Sequence, residues 1–325
     1  MRRKIFVLAS ALALLATSAC GGSSDSGDSG GDGQAEGELT EVTVGLIPIV
    51  DVAPVYLGQE QGYFEDHGLK LNIENASGGA AIVPGVVSGN FEFGFSNITS
   101  LLIGRQEDLP LKVVSNGVTS TGEQGADFGG IVVPEGSPVT DASGLAGKKV
   151  AVNTLQNIGD TTVRNSVRVA GGDPDEIKFV ELPFPEMPAA LENGQVDGAW
   201  LVEPFLSQSL NNGATEVASN FVDASPSLSV AQYFTSEQLA NEDPELVESF
   251  RTAMHESMAY ADANPEDVRR VLTNYTEIDQ NLIEQIRLPH FPPEVNRESV
   301  QTIADLMVED GLVDSQPDLE ALYYE

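Results

Sequence analysis

The sequence has little cysteine, histidine or positive charge. Among 325 residues there are one Cys and three His. That excludes a disulfide framework and any multi-Cys zinc site. Lys and Arg number 16 against 50 Asp and Glu, for a formal net charge of -34. A polyanion of this kind is repelled by nucleic acid and by anionic lipid, so both are poor partners. After residue 20 no apolar run is long enough to span a bilayer. There is no P-loop, no Gly-x-Ser-x-Gly elbow and no Gly-x-Gly-x-x-Gly fingerprint; the constellations of an enzyme are mostly missing, with only paired carboxylates able in principle to do acid–base work. What is present is 41% hydrophobic residues, enough for a large core. The length is one at which a single core usually divides in two.

The first residues read as an export signal. Arg2-Arg3-Lys4 is a basic start, 5–16 is apolar, and Thr17-Ser18-Ala19 supplies small residues before Cys20. The expectation is a signal peptide over 1–19. The lone Cys after small residues resembles the lipobox of bacterial lipoproteins, which implies lipidation of Cys20; Thr17 stands where that family usually has Leu. Residues 21–38 hold seven Gly, four Ser and five acids, and no large apolar side chain. Such a segment cannot bury enough surface to offset its ordering entropy. Residues 20–38 are therefore expected to be a lipidated Cys and a disordered linker, with a span of about 23 Å. The protein would be exported and held on the outer face of the bacterial cytoplasmic membrane.

From Glu41 onward, strand and helix patterns alternate. Strands are expected at 42–47, 69–73, 91–95 and 111–115, with helices at 55–66, 79–87 and 97–104 between them. The pattern restarts after Phe128, with strands near 130–133, 148–152, 177–181 and 196–202 and helices between. After about residue 226 it turns largely helical, with helix signals at 244–263, 265–273, 280–286 and 298–310. Alternation of this kind predicts an α/β fold with mostly parallel sheets flanked by helices. Lobe I is expected at 40–128 plus a helical return over 226–325, and lobe II at 129–225. The crossings near 128 and over 225–233 would be the hinge. Gly89-Asn90-Phe91-Glu92-Phe93-Gly94-Phe95 also aligns without gaps with Gly194-Gln195-Val196-Asp197-Gly198-Ala199-Trp200, as if one design were used twice.

In open α/β sheets, ligands bind beyond the carboxyl ends of strands, beside helix N-termini. The loops in that position share a chemistry. Lobe I offers Asp51, Tyr56, Gly78, Gly79, Phe95, Ser96 and Asn97; lobe II offers Asn153, Thr154, Gln156, Asn157, Asp160, Phe184, Trp200, Glu203 and Phe205. Amides, aromatic faces and carboxylates describe a small-molecule pocket, and these loops hold no Lys or Arg. That combination favours a neutral or cationic guest, or a planar ring with N–H donors. Each residue also has a structural reading. Tyr56 fits helix packing, Asp51 and Asp160 fit helix starts, Glu203 fits an acid beside Pro204, and Gly78-Gly79 fits a turn that could also cradle an anion.

Ala53-Pro54-Val55-Tyr56-Leu57-Gly58 and Gln61-Gly62-Tyr63-Phe64-Glu65-Asp66-His67-Gly68-Leu69 resemble the first-helix signature of periplasmic binding proteins for nitrate, sulfonate, taurine and related solutes, the NMT1-like family. Gly144-Leu145-Ala146-Gly147-Lys148-Lys149-Val150-Ala151-Val152 is similar to the start of that family's second domain. Val196-Asp197-Gly198-Ala199-Trp200 with Glu203-Pro204-Phe205 is similar to its later strand and pocket loop. The resemblance implies a two-lobed periplasmic binding protein, type II-like, that closes on a solute and delivers it to an ABC permease. It implies no cofactor, no metal and no turnover, and a monomer is expected. The guest expected first is a nitrogen heterocycle or amine, such as a pyrimidine precursor of thiamine. A sulfonate, taurine or nitrate oxyanion is the alternative. A reading of another class is a surface lipoprotein that docks a protein partner.

Overall fold

Thr40–Leu46 reads TEVTVGL, and its apolar residues are buried from Val42 onward. In the computed structural model, which describes residues 39–324, this is strand β1. The leader 1–19, the Cys20 lipidation site and the linker 20–38 lie outside the described residues. β1 is followed by β2 (Leu69–Asn75), β3 (Phe93–Asn97) and β4 (Leu111–Thr119). Then come β5 (Gly129–Val133), β6 (Lys149–Val152), β7 (Lys178–Glu181), β8 (Gly198–Val202) and β9 (Thr215–Ala218), and finally β10 (Ser229–Ser236). They form two five-stranded sheets, in the orders β2-β1-β3-β10-β4 and β7-β6-β8-β5-β9. The fold is α/β and two-lobed, with one sheet to each lobe.

The sheets are mixed, which corrects the expectation of mostly parallel ones. β1 runs parallel to β2 and β3, and β6 runs parallel to β7 and β8. β10 is antiparallel to β3 and β4, and β5 is antiparallel to β8 and β9. β10 falls at the expected hinge crossing and the start of the largely helical return, where no strand was expected. Its eight residues, SVAQYFTS, are buried on both faces. A strand covered on both sides shows no two-residue alternation, and Gln232 and the hydroxyl residues hide its apolar content. Residues 229–233, expected as hinge, are thus part of the first sheet, and the crossing runs between the helix Asn220–Ala224 and Ser229.

Two helix expectations are also corrected. The stretch 55–66 is two helices, Ala53–Gln61 and Tyr63–Asp66, because Gly62 between them takes φ 81°. A left-handed residue ends a helix, and glycine reaches that conformation without a Cβ clash. Residues Gln280–Gln285 form 3-10 turns, not an α-helix. The long return helix Pro244–Ala263 buries Val247, Phe250, Met254, Met258 and Ala261 on one face. It packs on Ala53–Gln61, and Phe250 stacks on Phe93 with ring centroids 3.8 Å apart.

Candidate functional site

On the lobe I side, β1 runs into a 3-10 turn, Val50–Val52, that carries Asp51. Asp51 is 3% exposed, and its Oδ1 has no partner among the described residues. Burial raises its pKa to about 7; its own backbone N–H opposes this and the nearby Asp127 adds to it. Tyr56 stacks flat on Tyr275, centroids 3.9 Å apart, and the Tyr275 hydroxyl donates to Ile49 O at 3.0 Å. Burial pushes Tyr56 up to about 12. Phe95 is buried against Tyr233, centroids 5.2 Å apart. Ser96 donates to Asn97 O at 3.3 Å, and Asn97 caps the helix Ile98–Gln106 by accepting from Ser100 N at 3.0 Å. Gly79 opens the helix Gly79–Val87 directly against Ser96, so any Cβ there would collide with the serine hydroxyl.

On the lobe II side, β6 leads to Asn153 and Thr154, then to Gln156 with φ 52° and to Asn157. Asn157 caps the helix Ile158–Val169 by accepting from Ile158 N at 2.9 Å. Asp160, in that helix's first turn, accepts from Gln156 N through Oδ2 at 2.9 Å, while its buried Oδ1 has no partner. Burial raises its pKa to about 6; the Gln156 N–H and Arg164 oppose, and Asp310 and Glu181 reinforce. Trp200 meets Phe184 edge-on at 5.3 Å, and Phe184 stacks on Phe205 at 6.1 Å. Trp200 Nε1 is buried without a partner, as is the Oδ1 of Asn153.

Glu203 is fully buried and its carboxylate is already occupied. It accepts from Ser207 Oγ at 2.7 Å, Ser207 N at 3.1 Å and Arg287 N at 3.1 Å. Burial lifts its pKa to about 7 against those hydrogen bonds. These partners give Glu203 the work of tying the segment at Gln285–Arg287 to lobe II, where Gln285 O also accepts from Ser207.

The two loop sets touch. A Cβ on Gly78 would lie 2.9 Å from Thr154 Oγ1 and 3.2 Å from Asn153 Nδ2. Asn157 Nδ2 donates to Ser100 Oγ at 2.9 Å across the seam, and Val50 N donates to Glu203 O at 3.1 Å. Farther out, Arg168 pairs with Glu309 at 3.1 Å and with Asp310. The basic residue nearest to Asp160 in sequence points away: Arg164 donates to Pro174 O at 2.9 Å and pairs with Asp175. The arrangement is a buried seam of aromatic faces and of acids, amides and an indole N–H with unused hydrogen-bonding atoms. Such groups are costly to bury unless something partners them.

The family description NMT1/THI5 like matches residues 49–268. The chain belongs to the NMT1/THI5-like family. Like its relatives in that family it is a solute-binding protein of ABC import, not an enzyme, and it works outside the cytoplasm. No described helix is long and apolar enough to cross a membrane. A Bacillus subtilis protein named for aliphatic sulfonate binding is 22% identical over 88% of this chain and 82% of its own length. The taurine-binding periplasmic protein of Escherichia coli is 24% identical over 66% of this chain and 64% of its own. Among solved structures, the alkanesulfonate-binding protein of Xanthomonas axonopodis bound to MOPS superposes with TM-score 0.74 at 16% identity, covering 88% of this chain and 99% of that one. The nitrate-binding protein of Synechocystis superposes with TM-score 0.73 at 14% identity, covering 87% and 84%.

Several residues that lie along this seam were not among those the sequence pointed to. Tyr233 is fully buried with an unpartnered hydroxyl, and it sits on β10, the unexpected strand. Ser100 lies inside a helix, Tyr275 follows the return helices, and Arg287 reaches Glu216 at 2.6 Å from far along the chain. Asn97 marks the helix start by accepting from Ser100 N, which says nothing of the Ser100 hydroxyl.

Proposed function

We propose that the chain captures a small sulfonate or related oxyanion between its lobes and delivers it to an ABC permease. The observation that carries this reading is the meeting of three helix starts, at Gly79, Ile98 and Ile158. Gly79 abuts Ser96, Gly78 faces Asn153 and Thr154, and Ser100 bonds Asn157. Asn97 and Asn157 already take Ser100 N and Ile158 N; the other first-turn N–H groups have no partner inside their helices, and the positive end of the helix dipole favours an anion. An oxyanion can be held there without Lys or Arg, so the scarcity of cations at the cleft is no bar. Relatives named for sulfonates, taurine, nitrate and bicarbonate support the same class.

The second reading, an amine or nitrogen heterocycle, is favoured by the unpartnered carboxylate oxygens of Asp51 and Asp160. Calorimetric titration with methanesulfonate, taurine and nitrate, set against alkylamines and aminopyrimidines, separates the two. Sulfonate binding that falls at least about tenfold in Gly79→Ala is expected. Binding of amines or pyrimidines alone, lost in Asp51→Asn, would replace the first reading with the second. If no small solute binds, the reading of a surface protein that docks a partner takes over.

We further propose lobes at 40–128 with 226–325 and at 129–225. The seam contacts would be made when they close, because only contacts better made in the closed state shift that equilibrium. A lipid on Cys20 would tether this monomer to the membrane. Cys20→Ser is expected to release the protein from the membrane fraction, and retention there would refute the anchor.

A further inference from the structure

Away from the seam, a hollow of about 320 Å³ opens where β4 meets the return helices and the C-terminal segment. Arg251, Arg297, His255, Tyr323, Tyr324 and Asn116 line it, with Glu294 on the same wall. The chain has 16 basic residues against 50 acids, yet two arginines and one of its three histidines converge here. Three other hollows of comparable size are lined with no Lys, Arg or His.

The arginines are presented rather than buried in pairs. The Arg297 guanidinium lies 4.3 Å from the Tyr323 ring centroid, and that of Arg251 lies 5.9 Å from Tyr324. Ring stacking leaves the in-plane N–H fork available for a planar carboxylate. Their own acid partners, Glu248 at 2.9 Å and Glu320 at 3.2 Å, are surface-exposed, and such pairs exchange at little cost. The wall also holds unsatisfied atoms. Tyr323 Oη, His255 Nε2 and Asn116 Oδ1 are buried with no partner among the described residues. Asn116 already donates to Thr119 Oγ1 at 3.0 Å and to Pro292 O at 2.8 Å, which leaves its oxygen as the free acceptor. Burial, then Arg251, hold His255 below the ordinary imidazole range, with Glu294 and Glu248 opposing.

We propose that this hollow is a second ligand site, separate from the interlobe seam, for a small organic acid with at least two carboxylates and a hydroxyl. Arg251 and Arg297 take the carboxylates; Tyr323 Oη and Asn116 Oδ1, sealed behind the wall of the ligand-free hollow, are reached when the ligand opens that wall, the first as donor and the second as acceptor for the hydroxyl. Glu294 disfavours a bare inorganic anion, which offers no donor in return.

The test is calorimetric titration of the full chain with citrate, alongside succinate and sulfate. Citrate is expected to bind more tightly than either. Arg251→Gln and Arg297→Gln should each weaken it about tenfold, and Tyr323→Phe about threefold. Tyr323→Phe keeps the ring and its packing, so a loss there is not a loss of fold. Asp160→Asn, at the seam, should leave citrate affinity unchanged. Citrate that does not bind, that binds both arginine variants as tightly as the unchanged chain, that is matched by sulfate, or that is lost in Asp160→Asn overturns the proposal.

Discussion

In the first sheet the central strand β3 follows Gly89, which takes φ 72°; in the second, β8 follows Gly194 at φ 65°. Glu92 then accepts from Thr43 N at 2.7 Å, and Asp197 accepts from Lys149 N at 2.8 Å. Both acids thus fasten the start of the central strand to its parallel neighbour. Phe95 and Trp200 stand at matching places on the two strands. Beyond them the likeness ends. β3 closes in Ser96 and Asn97 and faces a glycine turn, whereas β8 passes from Trp200 to Glu203 and faces Phe184. One frame is used twice. The part that holds the strand in its sheet is kept, and the part that meets the other lobe has diverged into a small polar wall and an aromatic one.

The matched aromatic pair gives the largest test of that comparison. Phe95→Ala and Trp200→Ala should each cost about 3–5 kcal/mol in urea unfolding, because both remove a buried ring. Trp200→Phe should keep most of the stability but weaken solute binding, since only the indole carries an unpartnered N–H. Phe95→Leu should leave affinity nearly unchanged, and equal losses in the two variants would erase the distinction between the walls. Glu203→Ala comes next, at about 3 kcal/mol, because it strands buried donors on Ser207 and Arg287. Its counterpart loss in lobe I, the Asn97→Ala cap, should cost only about 1 kcal/mol.

Acidity sharpens the contrast further. Asp51 and Glu203 are raised to about 7, and Asp160 to about 6, mainly by burial. A raised carboxyl binds its proton more tightly folded than unfolded. Stability from these groups is therefore fullest near pH 4 and is lost as pH rises through 6 to 7. Each group adds a slope of up to about 1.4 kcal/mol per pH unit. Melting followed between pH 5 and 8 should show the fall, and Asp51→Asn should flatten it and raise stability at pH 8. The smallest effect is at the seam itself. A double-mutant cycle on Ser100→Ala and Asn157→Ala should give a coupling of about 1 kcal/mol. No coupling would mean that this hydrogen bond does not hold the two walls together.

The sequence by itself determined most of the local elements. Alternating apolar runs, glycines past helix ends and capping residues such as Asn97 and Asn157 act within a few residues, and they write strands and helices directly into the chain. The repeated segments at Gly89 and Gly194, and the polar and aromatic loops at the strand tips, were legible for the same reason. Tertiary structure alone decided what each element met. β10 is a strand because two other strands flank it, with Tyr233 buried as a consequence. Glu203 holds Arg287, which lies 84 residues away. Arg251, Arg297 and Tyr323 share a hollow that no spacing announces. Local conformation follows from neighbouring residues, but the partner of a buried polar group is chosen only when distant segments close around it.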